Sequence, residues 1–554
     1  MGLFIKELEK RQPPQEGRRW LFVPYDQLSG GIGPLCREDP RRLGIVLVEN
    51  AWKAARRPYH KQKLALILAN LRHFALEQVQ RGVAVRHVVA DGPYHEALEP
   101  LVQALGPMRV MVPAERELRM DLKRLVDRKA LKLIPHEGWL TSQEQFKASA
   151  KKGPPWRMDA FYRYVRRETG ILMHENKPEG GKFSFDAENR LAWKGKPPPP
   201  DPPSFPGDPV KEEVGKLIQK KFAHHPGRLD LDALPATRAD AEKLWAWAKR
   251  DCLPNFGPYE DAMTLKSKGL FHTRISALMN IHRLLPSRIV SGALTMDLPM
   301  AGKEGFIRQV LGWREFVNHV HVATDGFRNL PTNPPEICPS PGEGGYDLWS
   351  GKSWKSKRSP KNLDGGAAPN ALGCEMPLPP AYWGEKSGLT CLDQVVATVW
   401  EEGYSHHITR LMILSNLATL LDVRPRDLTD WFWSAYTDAY DWVVEPNVLG
   451  MGTFGVGELM ITKPYVSGAA YINRMSDYCS ACAFNPKIDC PITSLYWAFL
   501  ARHEPKLNHN PRLRMPYVSL KKRRKDSRRK DRVTFQILRK ALMAAEPVGP
   551  KDMP

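Results

Sequence analysis

The chain has 554 residues, 42% of them apolar, and carries a formal net charge of +21. That length exceeds one hydrophobic core, so two or more domains are expected. There is no apolar run of about eighteen residues, which excludes a helical membrane span, and the polar start MGLFIKELEKRQPPQEGRRW excludes a secretory signal. The expected setting is a soluble cytoplasmic monomer, and the positive excess favours a polyanionic partner.

In chain order, RWLFVPYD (19–26), LGIVLVEN (43–50), VAVRHVVA (83–90) and MRVMVPAE (108–115) read as buried strands. Between the second and third, KQKLALILANLRHFALEQVQRG (61–82) repeats apolar residues at helical spacing and ends in glycine. This βαβα order predicts an α/β domain over residues 1–150, with a Rossmann-like parallel sheet and helices on its faces. No G-x-G-x-x-G follows the first strand, so a dinucleotide site there is not supported. Residues 151–240 read as an interdomain region holding the proline-rich KGKPPPPDPPSFPGDP (194–209), an extended linker or wrapping loop.

From residue 241 to 520, helical patterns dominate and predict an all-α domain. A stretch rich in Pro, Gly, Ser and Lys (322–380) interrupts it as a long insertion. Its Cys338 and Cys374 are read as ordinary thiols, with a ligand pair as the alternative. The end of the chain (521–554) opens with KKRRKDSRRKDR, nine basic and two acidic residues, which reads as an anion-binding tail or a solvated, disordered extension.

Of eight cysteines, three crowd into YCSACAFNPKIDCP (478–491): Cys479, Cys482 and Cys490. In a reducing compartment such a cluster reads as metal-binding rather than disulfide-forming. A closed site needs a fourth thiolate, and Cys391, at the start of a predicted helix, is the remote candidate. Four cysteines suit either tetrahedral zinc or a [4Fe–4S] cluster. Only one C-x-x-C pair is present, and a proline follows the last cysteine, a combination closer to the cluster pattern.

A series of blocks resembles the photolyase/cryptochrome superfamily, specifically its iron–sulfur bacterial cryptochrome/photolyase branch: MDAFYRYVRRETGILM (158–173), FDAENR (185–190), EGFIRQVLGWREF (304–316), GYSHHITRLMILSN (403–416), WVVEPNVLGMGTFG (442–455) and TKPYVSGAAYINRMSDYCSAC (462–482). The resemblance implies FAD in the helical domain and a [4Fe–4S] cluster on Cys391, Cys479, Cys482 and Cys490. It also implies an antenna in the N-terminal domain, 6,7-dimethyl-8-ribityllumazine, lined by YDQLS (25–29), Glu49 and HKQK (60–63). Flavin contacts carried over are Tyr259, Thr273, Ser276 and Asn280, with Arg410 and Asp438 beside the isoalloxazine and Val444 where a residue faces flavin N5. Valine cannot hydrogen-bond N5. Its neighbour Glu445 is expected to point elsewhere.

His406 and His407 are adjacent, and on a helix only one of them faces the pocket; the resemblance selects His407. It implies a proton-handling role there, as in enzymes acting on pyrimidine (6-4) pyrimidone lesions. Tyr465, Tyr471 and Met451 match the lesion pocket, where a flipped-out dinucleotide needs aromatic and adaptable surfaces. Trp431 and Trp383 match internal electron-relay positions, and Phe432 stands where an oxidisable tyrosine can occur. The implied function is blue-light-driven repair of (6-4) photoproducts in UV-damaged DNA, by electron transfer from reduced FAD. The alternatives are a sensory cryptochrome without repair and an iron–sulfur nucleic-acid protein akin to the primase large subunit.

Overall fold

Short Val/Ile/Leu-rich runs bounded by turn residues pair into a sheet. The computed structural model describes residues 2–331, 334–342 and 363–554. In it β1 (Arg19–Phe22), β2 (Leu43–Asn50), β3 (Ala84–Ala90), β4 (Met108–Met111) and β5 (Leu131–Ile134) lie in the order β3-β2-β1-β4-β5. Every pairing is parallel. The continuous apolar stretch Leu43–Val48 of β2 is buried on both faces, as a sheet covered by helices requires. Strand order reverses between β1 and β4, which makes their carboxyl ends a switch point where such sheets open a crevice.

α1 (Lys61–Gln80), α2 (Tyr94–Leu105) and α3 (Arg116–Asp127) flank the sheet. α1 stops where Gly82 takes φ +87°, a conformation that costs a residue with a Cβ. The proline-rich segment wraps back rather than bridging two bodies. Its Phe205 is buried, and Lys211 Nζ donates to the Phe205 carbonyl (2.7 Å) from α4 (Pro209–Lys221), which packs along α1.

The second half is helical, with α5 (Thr390–Glu402), α6 (Pro425–Ala435), α7 (Pro491–Arg502) and α8 (Lys525–Met543) as its relevant members. The two halves share a continuous core. Across their boundary Lys63 Nζ donates to the carbonyls of Trp433 (2.8 Å) and Ala439 (2.6 Å).

The basic tail is not a disordered extension: Lys521 and Lys522 end one helix (Arg514–Lys522) and the residues from Lys525 onward form the front of α8. Thr534, Phe535, Leu538 and Leu542 bury one face of α8 against α7, and Arg523 pairs with Asp531 (2.6 Å). The arginines and lysines occupy the other face because the apolar residues recur at helical spacing behind them. Within the 322–380 stretch, Ile337–Cys338 pairs antiparallel with Gly366–Ala367; residues 343–362 of that expected insertion lie outside the described residues. Among the described residues no helix is long and apolar enough to cross a membrane.

Candidate active site and cysteine cluster

A cavity of about 300 Å³ opens in the helical half, bounded by Thr273, Ser276 and Asn280 on one side and by His406, His407, Arg410, Asp438, Val444 and Met451 on the other. Its floor is an ion pair. Arg410 Nη1 and Nη2 donate to the two oxygens of Asp438, each at 3.0 Å. The Ser276 hydroxyl donates to Asp438 Oδ2 (2.7 Å), and Asn280 Nδ2 donates to the Asp438 carbonyl (2.8 Å). Burial alone opposes ionisation of Asp438, but Arg410 and Ser276 outweigh it and hold the carboxyl below its usual range. The arginine lies over the Tyr436 ring (4.0 Å), which fixes the plane of the fork.

This clamp redistributes the expected phosphate-binding hydroxyls. Ser276 is committed to Asp438, and of the T-x-x-S pair only Thr273 has its hydroxyl uncommitted on the wall. Other wall groups also lack partners, namely Arg314 Nη2 and His406 Nδ1. Burial lowers Arg314 to about 10, so it remains a cation at neutral pH. Tyr259 is not on this wall; it packs on Phe271 (5.4 Å) and its hydroxyl donates to the Lys196 carbonyl (3.2 Å).

Both adjacent histidines reach the cavity, against the expectation that one would be turned away. His406 precedes the first helical turn with extended backbone (φ −77°, ψ 165°), so helical spacing does not separate the two rings. His406 is buried and stacks on His272 (4.4 Å, 11°), while His407 stands at the mouth with its side chain 42% exposed. Partial loss of water at the mouth, then Arg410 and Arg308, lowers the His407 pKa, which leaves the ring neutral at pH 7. His407 Nε2 lies 3.8 Å from Asp261 Oδ1, and the Tyr471 hydroxyl donates to Asp261 Oδ2 (3.2 Å). Asp261 was missed by sequence reasoning although Tyr259 nearby was carried over; an aspartate two positions after a candidate tyrosine has no periodicity that betrays it. Tyr465 is 36% exposed and lies off the cavity wall; Met451 lies on it.

Val444 is buried on the wall, and Glu445 does turn away. It accepts from Arg426 (2.7 Å) and lies 2.9 Å from His321 Nε2. Behind the cavity runs a chain of rings. Phe432, on the wall, packs edge-on against Trp431 (5.2 Å), Trp431 against Trp400 (5.9 Å), and Trp400 stacks on Trp383 (5.3 Å). Trp400, which sequence reasoning passed over, is the link between the two expected members. With sixteen tryptophans in the chain, only packing could single it out.

Cys391, Cys479, Cys482 and Cys490 line one small apolar cavity with Leu389, Ile472, Phe484 and Ile492. Cys391 sits in the first turn of α5, and Cys490 is the residue before α7, whose first position is Pro491. That proline needs no hydrogen-bond acceptor for a backbone N–H and starts the helix away from the thiol. All four are free thiols. Burial first, and then the three neighbouring sulfurs, raise the Cys391 thiol well above its ordinary value, so the four thiols destabilise one another's ionised forms unless a cation shares the cavity.

At the switch point of the sheet, a second cavity of about 90 Å³ is lined by Tyr25, Glu49, Lys53, Lys63, Trp433 and Tyr440. Glu49 is on its wall with its carboxylate already held by Arg72 (2.6 and 2.9 Å) and lying 3.0 Å from His87.

The family model for deoxyribodipyrimidine photo-lyase-related proteins matches residues 21–233. A (6-4) photolyase of Agrobacterium fabrum is 32% identical over 526 residues, 92% of this chain and 96% of that protein. Two solved structures align over nearly the whole chain. One is a bacterial class III photolyase from Agrobacterium tumefaciens (14% identical, 96% of this chain and 98% of that one, TM-score 0.47). The other is a Synechocystis sp. cryptochrome (13% identical, 95% and 100%, TM-score 0.48). The chain belongs to the photolyase/cryptochrome superfamily.

Proposed function

We propose that this protein is a (6-4) photolyase, a flavoprotein that reverses pyrimidine (6-4) pyrimidone photoproducts in UV-damaged DNA under blue light. The observation that carries the reading is the placement of His407, with Asp261 and Tyr471, at the mouth of a cavity whose floor is the Arg410–Asp438 clamp. The full-length likeness to a (6-4) photolyase supports the same class.

The residues fit FAD. Thr273 and the spare Nη2 of Arg314 offer donors to a pyrophosphate, and Arg410 with Asp438 offers a cation and an acceptor to the isoalloxazine edge. Bound in reduced form and excited by blue light, FAD supplies one electron to the lesion. The four cysteines fit a [4Fe–4S] cluster with a structural role, joining α5 to the start of α7. The cavity at the switch point suits the lumazine antenna, and the ring chain from Trp383 to Phe432 a route for refilling electrons.

Reversal of a (6-4) adduct requires a proton at the hydroxyl or amine that moves between the two bases. His407 is neutral in the free protein. The Asp261 carboxylate beside it and the phosphates of a docked lesion both favour its protonated form, so substrate arms the donor. Nε2 then gives its proton to the migrating group and takes it back when that group transfers. The Tyr471 ring and Met451 offer a flipped dinucleotide aromatic and adaptable contact. Arg190 and Arg474, exposed around the mouth, are placed for backbone phosphates.

The experiment is oxygen-free illumination of reduced protein with a (6-4)-containing oligonucleotide. Loss of the lesion is expected. A lesion unchanged after prolonged blue light would identify a sensor that uses the same cavity without repair.

A further inference from the structure

We propose that Cys374, Asp422 and His503 form a zinc site, separate from the four-cysteine cavity, that pins the segment after residue 363 onto the helical domain. Three observations converge. The Cys374 sulfur, an Asp422 carboxylate oxygen and a ring nitrogen of His503 all lie within 4.8 Å of one another. Cys374 and His503 are buried, and Asp422 is 87% enclosed, its side chain being 13% exposed. Finally, His503 Nε2, on a side chain only 7% exposed, has no hydrogen-bond partner and faces Asp422 Oδ1 at 3.9 Å. A buried imidazole nitrogen left unpaired among a thiol and a carboxylate is costly unless something shares its lone pair.

The geometry suits a small divalent metal of borderline softness. Tetrahedral zinc with N and O bonds of about 2.0–2.1 Å sets those ligand atoms roughly 3.3–3.4 Å apart, so the 3.9 Å between His503 Nε2 and Asp422 Oδ1 needs to close by only about half an ångström. Mixed thiolate, imidazole and carboxylate donors favour zinc over the oxygen-seeking magnesium and calcium. Charge also balances. A thiolate and a carboxylate neutralise the dication, which matters because Arg502, Lys506 and Arg539 lie close by, Arg539 at 3.7 Å from Asp422 Oδ2. A fourth position is left to water.

The three ligands come from segments that the chain has independent reasons to hold still. Asn370 clamps Cys374 through both its amide atoms, accepting from the Cys374 N–H (2.9 Å) and donating to its carbonyl (2.8 Å). Met376 forms a parallel bridge beside Asp422, donating to the Asp422 carbonyl (2.8 Å) and accepting from Arg424 (2.8 Å). Asp422 adopts φ +71°, tolerated by a short polar side chain. His503 is the residue after α7, and Cys490 is the residue before it. α7 would thus carry a metal ligand immediately outside each end, one for the four-cysteine cavity and one for this site. The metal would join the outlying 363–376 segment to the same helix that the four-cysteine cavity holds.

The test is metal analysis and zinc X-ray absorption on the full-length protein prepared without oxygen, before and after incubation with one equivalent of zinc chloride. One zinc per chain is expected, with one sulfur at about 2.3 Å and the remaining ligands nitrogen or oxygen near 2.0–2.1 Å. H503Q and C374A should each lower zinc content at least tenfold while leaving iron content unchanged. The proposal is overturned by a first shell of four sulfurs, which would place the zinc among Cys391, Cys479, Cys482 and Cys490. It is equally overturned by failure of the wild-type protein to retain zinc. The absorption measurement on wild-type protein stands even where a variant does not fold.

Discussion

Two arginine–carboxylate networks lie side by side in the helical half, and they differ in one respect. Arg426 is fully engaged, donating to Asp430 (2.6 and 3.0 Å) and Glu445 (2.7 Å), with His321 closing the far side of Glu445 (2.9 Å). Arg410 and Asp438 make an equally good fork, yet they floor a cavity whose wall holds uncommitted polar atoms on Arg314 and His406. The first network pairs its charges with one another, leaving only His321 Nδ1 over among the described residues, and holds structure together. The second leaves hydrogen-bonding capacity unspent beside an open cavity, where a ligand can use it. Adjacent residues fall on opposite sides of this divide: Val444 faces the cavity and Glu445 the closed network.

The contrast breaks most sharply at His407. His407→Ala should lower (6-4) repair about 100- to 10,000-fold while flavin content and thermal midpoint stay near wild type. Repair at the wild-type rate would remove the proton role. Because the ring's pKa is depressed, repair that depends on its protonated form should fall as pH rises, and this pH dependence should vanish in the variant.

Glu445→Gln should do the reverse, costing stability of about 3 kcal/mol in denaturant unfolding while the folded fraction repairs normally. Burial opposes the Glu445 charge, but His321 and Arg426 hold its pKa down at about 2. A group depressed on folding stabilises above its unfolded value of about 4.5 and loses that contribution as pH falls toward 2. The stabilities of wild type and variant should therefore converge in acid.

A smaller effect is expected behind the cavity. Trp400→Phe should slow photoreduction of oxidised protein without altering repair by protein reduced beforehand, at a stability cost of about 1 kcal/mol for the lost bond to the Tyr382 carbonyl. Smallest of all, Arg474→Ala should weaken DNA binding uniformly and reduce the slope of log affinity against log salt by about 1.

How much of this was legible follows from what each feature depends on. β2 and α1 were plain because periodicity and composition agree along their length. β5 was not, since LKLI is a four-residue edge strand with two exposed positions and no run of apolar residues to announce it. The basic tail misled because charge dominates its first twelve residues, while the apolar stripe that docks α8 begins only at Thr534. In the site, Arg410 and Asp438 could be paired by resemblance and His407 selected, but the committed hydroxyl of Ser276, the position of Tyr259 off the wall and the arrival of Asp261 at His407 depend on tertiary packing that local sequence does not encode. The cysteines were legible as a set; that α7 is bracketed by Cys490 and His503 required the fold.

The central claim is that the open network exists to hold a flavin. An absorption spectrum of protein purified without oxygen, followed by counting the FAD released on denaturation, tests it directly. The account predicts flavin bands and about one FAD per chain, with release abolished in Asp438→Ala, whose arginine loses its partner. A protein that is colourless in the flavin region, and that takes up no FAD when it is supplied, would contradict it.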